Sequence, residues 1–188
     1  MAASEVAICN SALIKLGVET IASLAENSRA ARLCNEQYAK IRDKLLYSHL
    51  WNFAVKRATL VATVAVPVYE FDIEYTLPTD CLRVWETQYG PSKDFYQVEG
   101  GKLYSNYTDV SIRYIAKITD TTKFSPTFDE CLALLLAIDL EFALVQSNSF
   151  KNTLLAELKE EIRDTRSFDA QENPAYAYQE DTFLDSRR

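Results

Sequence analysis

His49 is the chain's one histidine, and it sits beside Leu50 and Trp51. A histidine metal site or a nucleophile–His–acid triad needs convergent partners, and the sequence brings none to it. His49 therefore reads as a packing or helix-cap residue. Asp139 and Glu141 are the next candidates, because paired carboxylates can divide acid and base roles. They stand two apart on one predicted helix, so their side chains diverge by about 200° and cannot serve one substrate together. They read instead as candidates for a buried interhelical ion pair, since a buried carboxylate without a partner is costly. Gly100 and Gly101 lack the spacing and lysine of a phosphate loop and predict a β-turn. Cys9, Cys34, Cys81 and Cys131 form no zinc or C-x-x-C pattern and read as ordinary buried thiols, which suits a reducing compartment. The expectation is no catalytic residue, no metal site and no cofactor.

Bulk properties narrow the partners. The chain has 188 residues and a net charge of −7, from 20 basic and 27 acidic side chains. A compact nucleic-acid-binding domain usually carries a basic excess, and this one does not. A local basic side remains: Arg29, Arg32, Lys40, Arg42 and Lys44 lie on one predicted helix, with Lys56 and Arg57 beyond. It reads as a solvated face, or as a contact for an acidic neighbour or a nucleic-acid backbone. The N-terminus has an early acidic residue and no basic start, and it predicts no signal peptide. The longest apolar run, CLALLLAI, has eight residues; a membrane span needs about 20. Eleven tyrosines suit interfaces and sheets alike.

The elements that would position these residues follow from period and punctuation. Ser4 caps a first helix over residues 4–16 and Gly17 ends it. A second helix spans 28–50, its stripe being Cys34, Tyr38, Ile41 and Leu45. Trp51 and Phe53 should pin its end into the core. Residues 59–118 are rich in Val and Thr, contain the Gly-Gly turn and place Val110, Ile112 and Tyr114 on one face. They predict a small antiparallel unit of three to five strands. Thr127 with Glu130 makes a capping box for a helix over 127–146, and Pro126 stiffens its start. A last helix runs over 150–166 on Phe150, Leu154, Leu155, Leu158 and Ile162. The remainder, with Tyr176, Tyr178 and Phe183, lacks helical period and reads as a tail that can lie across a partner.

The fold class is thus α+β: an antiparallel helical bundle with an inserted small antiparallel β domain and an extended C-terminal arm. The expected divisions are 1–58 and 121–168 for the two parts of the bundle, 59–120 for the β domain and 169–188 for the tail. The apolar surround of residues 131–145 is broad enough to favour oligomerisation if a side is left over.

Several ordered segments resemble the tail tubular protein A family of tailed phages. N-x-A-L-x-x-L-G matches Asn10 to Gly17, and A-R-L-C/A matches Ala31 to Cys34. An h-P-W-N-F-A segment matches His49 to Ala54, with Leu50 in place of the usual proline. Y-x-LP-x-DCLRV matches Tyr75 to Val84, and G-x-x-L-x-(T/S)-N matches Gly100 to Asn106. The later motifs match Ile112 to Ile115 and Phe124 to Ala137, where Cys131 replaces a small residue. The likeness covers most of residues 7–165.

The resemblance implies a head-to-tail adaptor or connector of the virion neck, present in the host cytoplasm during assembly. It implies a ring, usually a dodecamer, between the portal protein and the tail nozzle or tube protein. DNA would only pass through its channel during genome ejection, and no membrane is involved. Arg29, Arg32 and Arg42 become candidates for portal or subunit contact, with Tyr176, Tyr178 and Phe183 as anchors of the tail arm. Ring closure would need the portal as template, and an acidic lumen would keep DNA from sticking. The alternative is a non-catalytic dimeric scaffold or regulatory protein-binding module. A small hydrolase has no convergent motif behind it.

Overall fold

The computed structural model describes residues 4–90, 92, 94–146 and 150–172. Four helices and seven strands follow in the order α1 (Glu5–Lys15), α2 (Arg29–Ser48), β1 (Val55–Thr59), β2 (Val61–Ala62), β3 (Ile73–Thr76), β4 (Cys81–Thr87), β5 (Gln97–Glu99), β6 (Lys102–Ser105), β7 (Ser111–Ala116), α3 (Pro126–Val145) and α4 (Lys151–Gln171). The architecture is α+β: a helical bundle with a β unit inserted between its second and third helices.

The helix ends show why the sequence stops and starts where it does. Ser4 Oγ accepts the Ala7 N–H at 3.1 Å and caps α1. Gly17 takes φ +68°, donates its N–H to Ile14 O, and lets Val18 bond Leu13 O. That pairing satisfies two end carbonyls, and the left-handed residue it requires explains the glycine. Ser28 caps α2 by accepting the Ala31 N–H. At α3 the expected capping box gives way to Ser125, whose Oγ accepts the Phe128 N–H at 3.2 Å, with Pro126 at the first helical position. Thr127 lies one turn position too late and instead meets the Ser125 hydroxyl. Helix α3 ends at Val145, with Gln146 left-handed at φ +56°.

One hydrophobic core runs through the helical bundle and into the β unit. The stripe Cys34, Tyr38, Ile41 and Leu45 is buried, as are Ile8, Leu13, Leu132, Leu136 and Leu140. Trp51 is 1 % exposed and meets Phe128 edge to face at 5.1 Å, while Phe53 packs on both Phe124 and Phe128. This aromatic knot fastens the end of α2 to the start of α3. Lys15 pairs with Glu130 at 2.6 Å and joins α1 to α3 at the surface.

The β unit is larger than its short strands suggest. One sheet has the order β1-β7-β4 and the other β2-β3-β6-β5, both antiparallel. It begins at Val55, inside the stretch assigned from sequence to the bundle, and its seven strands exceed the expected five. Glu99 pairs with Lys102 across Gly100 and Gly101, both at positive φ, which is the two-residue hairpin turn foreseen. Val110, Ile112 and Tyr114 are all buried, as their alternation requires. Asp80 accepts from Lys56 at 2.7 Å and from Tyr114 at 3.1 Å, so it ties the loop before β4 to β1 and β7. Lys117 on Asp43 then links the β unit to α2.

Helix α4 continues to Gln171, so residues 169–171 are helical rather than part of an extended tail. The segment 167–171, with Phe168 as its one large apolar residue, is too short to show an apolar stripe. It is held by tertiary bonds: the Asn52 N–H donates to Asp169 Oδ1 at 3.0 Å, and Asn52 Nδ2 donates to Asp169 O at 2.6 Å.

Candidate functional site

The residues singled out in the sequence scatter over the molecule. Arg29 and Arg32 are exposed on the first turn of α2, where Arg32 donates to Asn27 at 2.8 Å. Arg42 is not a surface residue. It is 4 % exposed, forked onto Asp43 at 2.8 and 2.9 Å and stacked over Tyr38. Its place four residues after Tyr38 puts it on the packed side of α2, so it is unavailable to a partner. Tyr176, Tyr178 and Phe183 lie outside the described residues.

Asp139 and Glu141 do not form the expected ion pair. Asp139 is exposed and Glu141 is fully buried, and neither has a Lys or Arg partner among the described residues. Glu141 Oε1 instead accepts the Phe150 N–H at 2.9 Å, and its other oxygen is buried without a bond. The carboxylate thus ties the start of α4, which has no side-chain cap of its own, to the middle of α3. Divergence by two helical positions predicted the separation of the pair; the backbone acceptor role had no signal in the sequence.

Several matched motif residues are braces. Asn10 grips Ile21 from both sides, Nδ2 donating to its carbonyl at 2.9 Å and Oδ1 accepting its N–H at 2.8 Å. That fixes the linker after α1. Trp51 Nε1 donates to Leu45 O at 2.9 Å. Asn52 holds the end of α4, as described above. Cys9, Cys34 and Cys131 are buried and Cys81 half-buried, all free thiols.

Arg83 has no such bracing role. It lies in the DCLRV segment on β4, whose register against β7 shifts between Cys81 and Arg83 and again between Val84 and Glu86. Bulges of this kind re-aim side chains. The Arg83 guanidinium lies 5.1 Å from the ring of Tyr47 and 5.4 Å from that of Trp85, and its Nε is buried without an acceptor. It opens onto a cleft of about 490 Å³ where the end of α2, strand β4 and the end of α4 meet. His49, Asn52, Trp85, Arg166 and Asp169 line it as well.

The charges of the cleft are unevenly matched. Asp169 is engaged by Asn52 and lies 3.5 Å from His49 Nε2. Burial raises the Asp169 carboxyl, and burial with the nearby Arg166 lowers His49, so the imidazole carries little charge at neutral pH. Arg83 and Arg166 have no ion-pair partner among the described residues. Sequence reasoning missed this cleft because three distant segments build it. The available signal was an arginine near the end of a matched motif, two residues before Trp85.

A second surface is apolar. The connection between β2 and β3 carries Val64 at 100 %, Val66 at 79 %, Val68 at 104 % and Tyr69 at 78 % exposure. Val64, Val66 and Val68 fall in an irregular connection that bends at Val64 and again over 68–70, with Pro67 among them, and all three present their methyl groups to solvent. Phe142 and Phe150 are exposed near the α3–α4 junction, and Ile14 on α1. Among the described residues no cluster of three or more His, Cys, Asp or Glu can hold a metal ion. No described helix is long and apolar enough to cross a membrane. No family model matches the chain, and no curated protein matches it.

Proposed function

We propose that the chain is a non-catalytic structural subunit, a head-to-tail adaptor of the tail tubular protein A type. In this reading it joins the portal to the tail nozzle or tube in a ring, usually a dodecamer, and continues the DNA channel. The observation that carries the reading is the exposed valine segment. A chain that keeps Val64, Val66 and Val68 in water has surface to bury against another protein. The ordered motif likeness chooses which kind of protein. Bracing by Asn10, Trp51, Asn52 and Asp80 accords with motifs that preserve a shape rather than a reaction.

The mechanism is mechanical. Each subunit presses one surface on a different surface of its neighbour, and repetition around an axis closes the ring. The portal supplies the template, Arg29 and Arg32 contribute charged contacts, and Tyr176, Tyr178 and Phe183 anchor the arm. The net charge of −7 favours a lumen along which DNA slides.

The test is assembly of the purified chain with the portal protein of the same genome, followed by negative-stain imaging. Twelvefold caps on the portal are expected, and V64S/V66S/V68S removes them while leaving thermal unfolding unchanged. Closed rings without portal would end the template mechanism. A dimer that ignores the portal would replace the adaptor reading with a scaffold or regulatory module. Steady turnover by the lone chain would overturn both.

A further inference from the structure

Two surfaces on different parts of the fold complement each other. The first is the connection between β2 and β3, where Val64, Val66, Val68 and Tyr69 stand largely in water. Glu70 follows them in a three-residue turn: the Phe71 N–H donates to Tyr69 O at 2.8 Å while Glu70 takes φ +65°. That turn is rare outside glycine, and it fixes the order of groups along the tip as methyls, a phenol ring and a carboxylate. Glu74 is taken by Lys102 and Thr63, whereas the exposed Glu70 and Asp72 carboxylates have no partner among the described residues. The second surface is the cleft of about 490 Å³ between α2, β4 and α4. Trp85 and Tyr47 give it exposed aromatic area on either side of Arg83, and Arg166 is exposed on its α4 wall. The Arg83 Nε is shut in, so the outer nitrogens of that guanidinium, with Arg166, are the donors that line the opening. Asp169 is already bonded by the Asn52 N–H and faces His49, which leaves both arginines open to another carboxylate. The exposed Phe142 offers no such match, because Asp139 stands exposed one turn before it and repels Glu70.

We propose that the β2–β3 connection of one copy docks in the arginine cleft of a second copy. Val66, Val68 and Tyr69 cover Trp85 and Tyr47, and Glu70 meets Arg83 and Arg166. Apolar burial supplies the attraction, and the paired charges set register and exclude wrong partners. The two surfaces lie on different elements, so the contact is heterologous. It leaves the cleft of one copy and the valine segment of the other free to take a third copy, and repetition carries it around an axis. A contact made by one loop is small, so two free copies hold each other weakly and a template gathers them. Extension of the contact to a closed ring rests on the adaptor reading; the contact between two copies does not.

Ala65 in the connection and Ala170 at the cleft are both exposed, so cysteines placed there report the contact without removing any part of it. Full-length A65C and A170C, carrying different tags, are mixed and treated with a short bismaleimide, alone and on the portal protein of the same genome. A product joining A65C to A170C is expected, well above either variant treated singly and above the unsubstituted chain, whose cysteines are buried or half-buried. E70R on the A65C chain lowers the cross-linking rate roughly tenfold, as does R166E on the A170C chain, and the two reversals together recover most of it. The midpoint of thermal unfolding of E70R stays constant, since the Glu70 side chain is exposed and bonds nothing in the fold. A mixed product no greater than that of the singly treated chains, with and without portal, overturns the proposal. So does a product that E70R leaves unchanged. A65C joined mainly to A65C also overturns it, in favour of symmetric pairing of the valine segments. Caps that form on the portal without the mixed product strike this contact and leave the adaptor reading standing. The mixed product without caps keeps the contact and counts against that reading.

Discussion

Replacing Trp51 tests whether the aromatic knot or the hydrogen bond holds the end of α2 to the start of α3. Trp51 is 1 % exposed, touches Phe128 at 5.1 Å and His49 at 4.9 Å, and donates to Leu45 O. Truncation to alanine removes the buried rings and leaves a cavity, a cost of about 3–5 kcal/mol. The edge-to-face pairing with Phe128 adds about 0.5–1.5 kcal/mol. The lost N–H bond adds little, because Leu45 O still accepts the Ser48 hydroxyl at 2.7 Å. W51A should therefore cost about 3.5–6.5 kcal/mol, a large share of the roughly 5–15 kcal/mol that stabilises a domain. W51F keeps a ring against Phe128 and should cost only about 1–2 kcal/mol. Urea unfolding at constant temperature, followed by circular dichroism, gives both values. Equal losses in the two variants would show that the indole N–H, not packing, is what matters. A W51A loss below about 1.5 kcal/mol would mean that the site collapses without a cavity, and would refute a packing role for the indole.

Three further outcomes are expected. Burial raises the Asp129 carboxyl to about 6. The folded chain then keeps a proton between about pH 4 and about pH 6 that the unfolded chain has released, so stability falls as pH rises through that window. D129N should flatten this slope and gain up to about 1 kcal/mol at pH 7, limited by partial exposure and the dipole of α3; an unchanged slope in melting against pH would refute the assignment. E141A should cost about 1–3 kcal/mol by stranding the Phe150 N–H, with faster amide exchange at the start of α4, and E141Q should cost less than E141A because its carbonyl can still accept. G101A should lose about 1 kcal/mol from φ +77° alone, since a Cβ there meets nothing within 4 Å; a neutral result in chemical unfolding would mean the turn re-forms in another type.

Local chemistry made much of this fold readable. Ser4, Ser28 and Gly17 mark helix ends by bonds that involve neighbours only, and the Gly100–Gly101 hairpin is equally local. The α2 stripe is a direct consequence of the helical repeat. What escaped depends on distant partners. Strand β2 has two residues and β5 three, too few to show alternation. The last turn of α4 exists through Asn52, 117 residues away from Asp169 in sequence. Arg42 looked like one more member of a basic face, and only its stacking on Tyr38 reveals that it faces inward. The cleft is the extreme case, since each of its three walls is unremarkable until they meet.

The change of sheet at Leu60 has a mechanical consequence. Strands β1 and β2 are nearly one extended run, yet β1 pairs through five residue pairs and β2 through two. Leu60 at the junction bonds Val110, and Thr63 just beyond bonds Glu74. Tension applied to the valine segment would peel β2 from β3 across those few bonds while β1 held. Extra reach could be released there under load, with the helices left undisturbed.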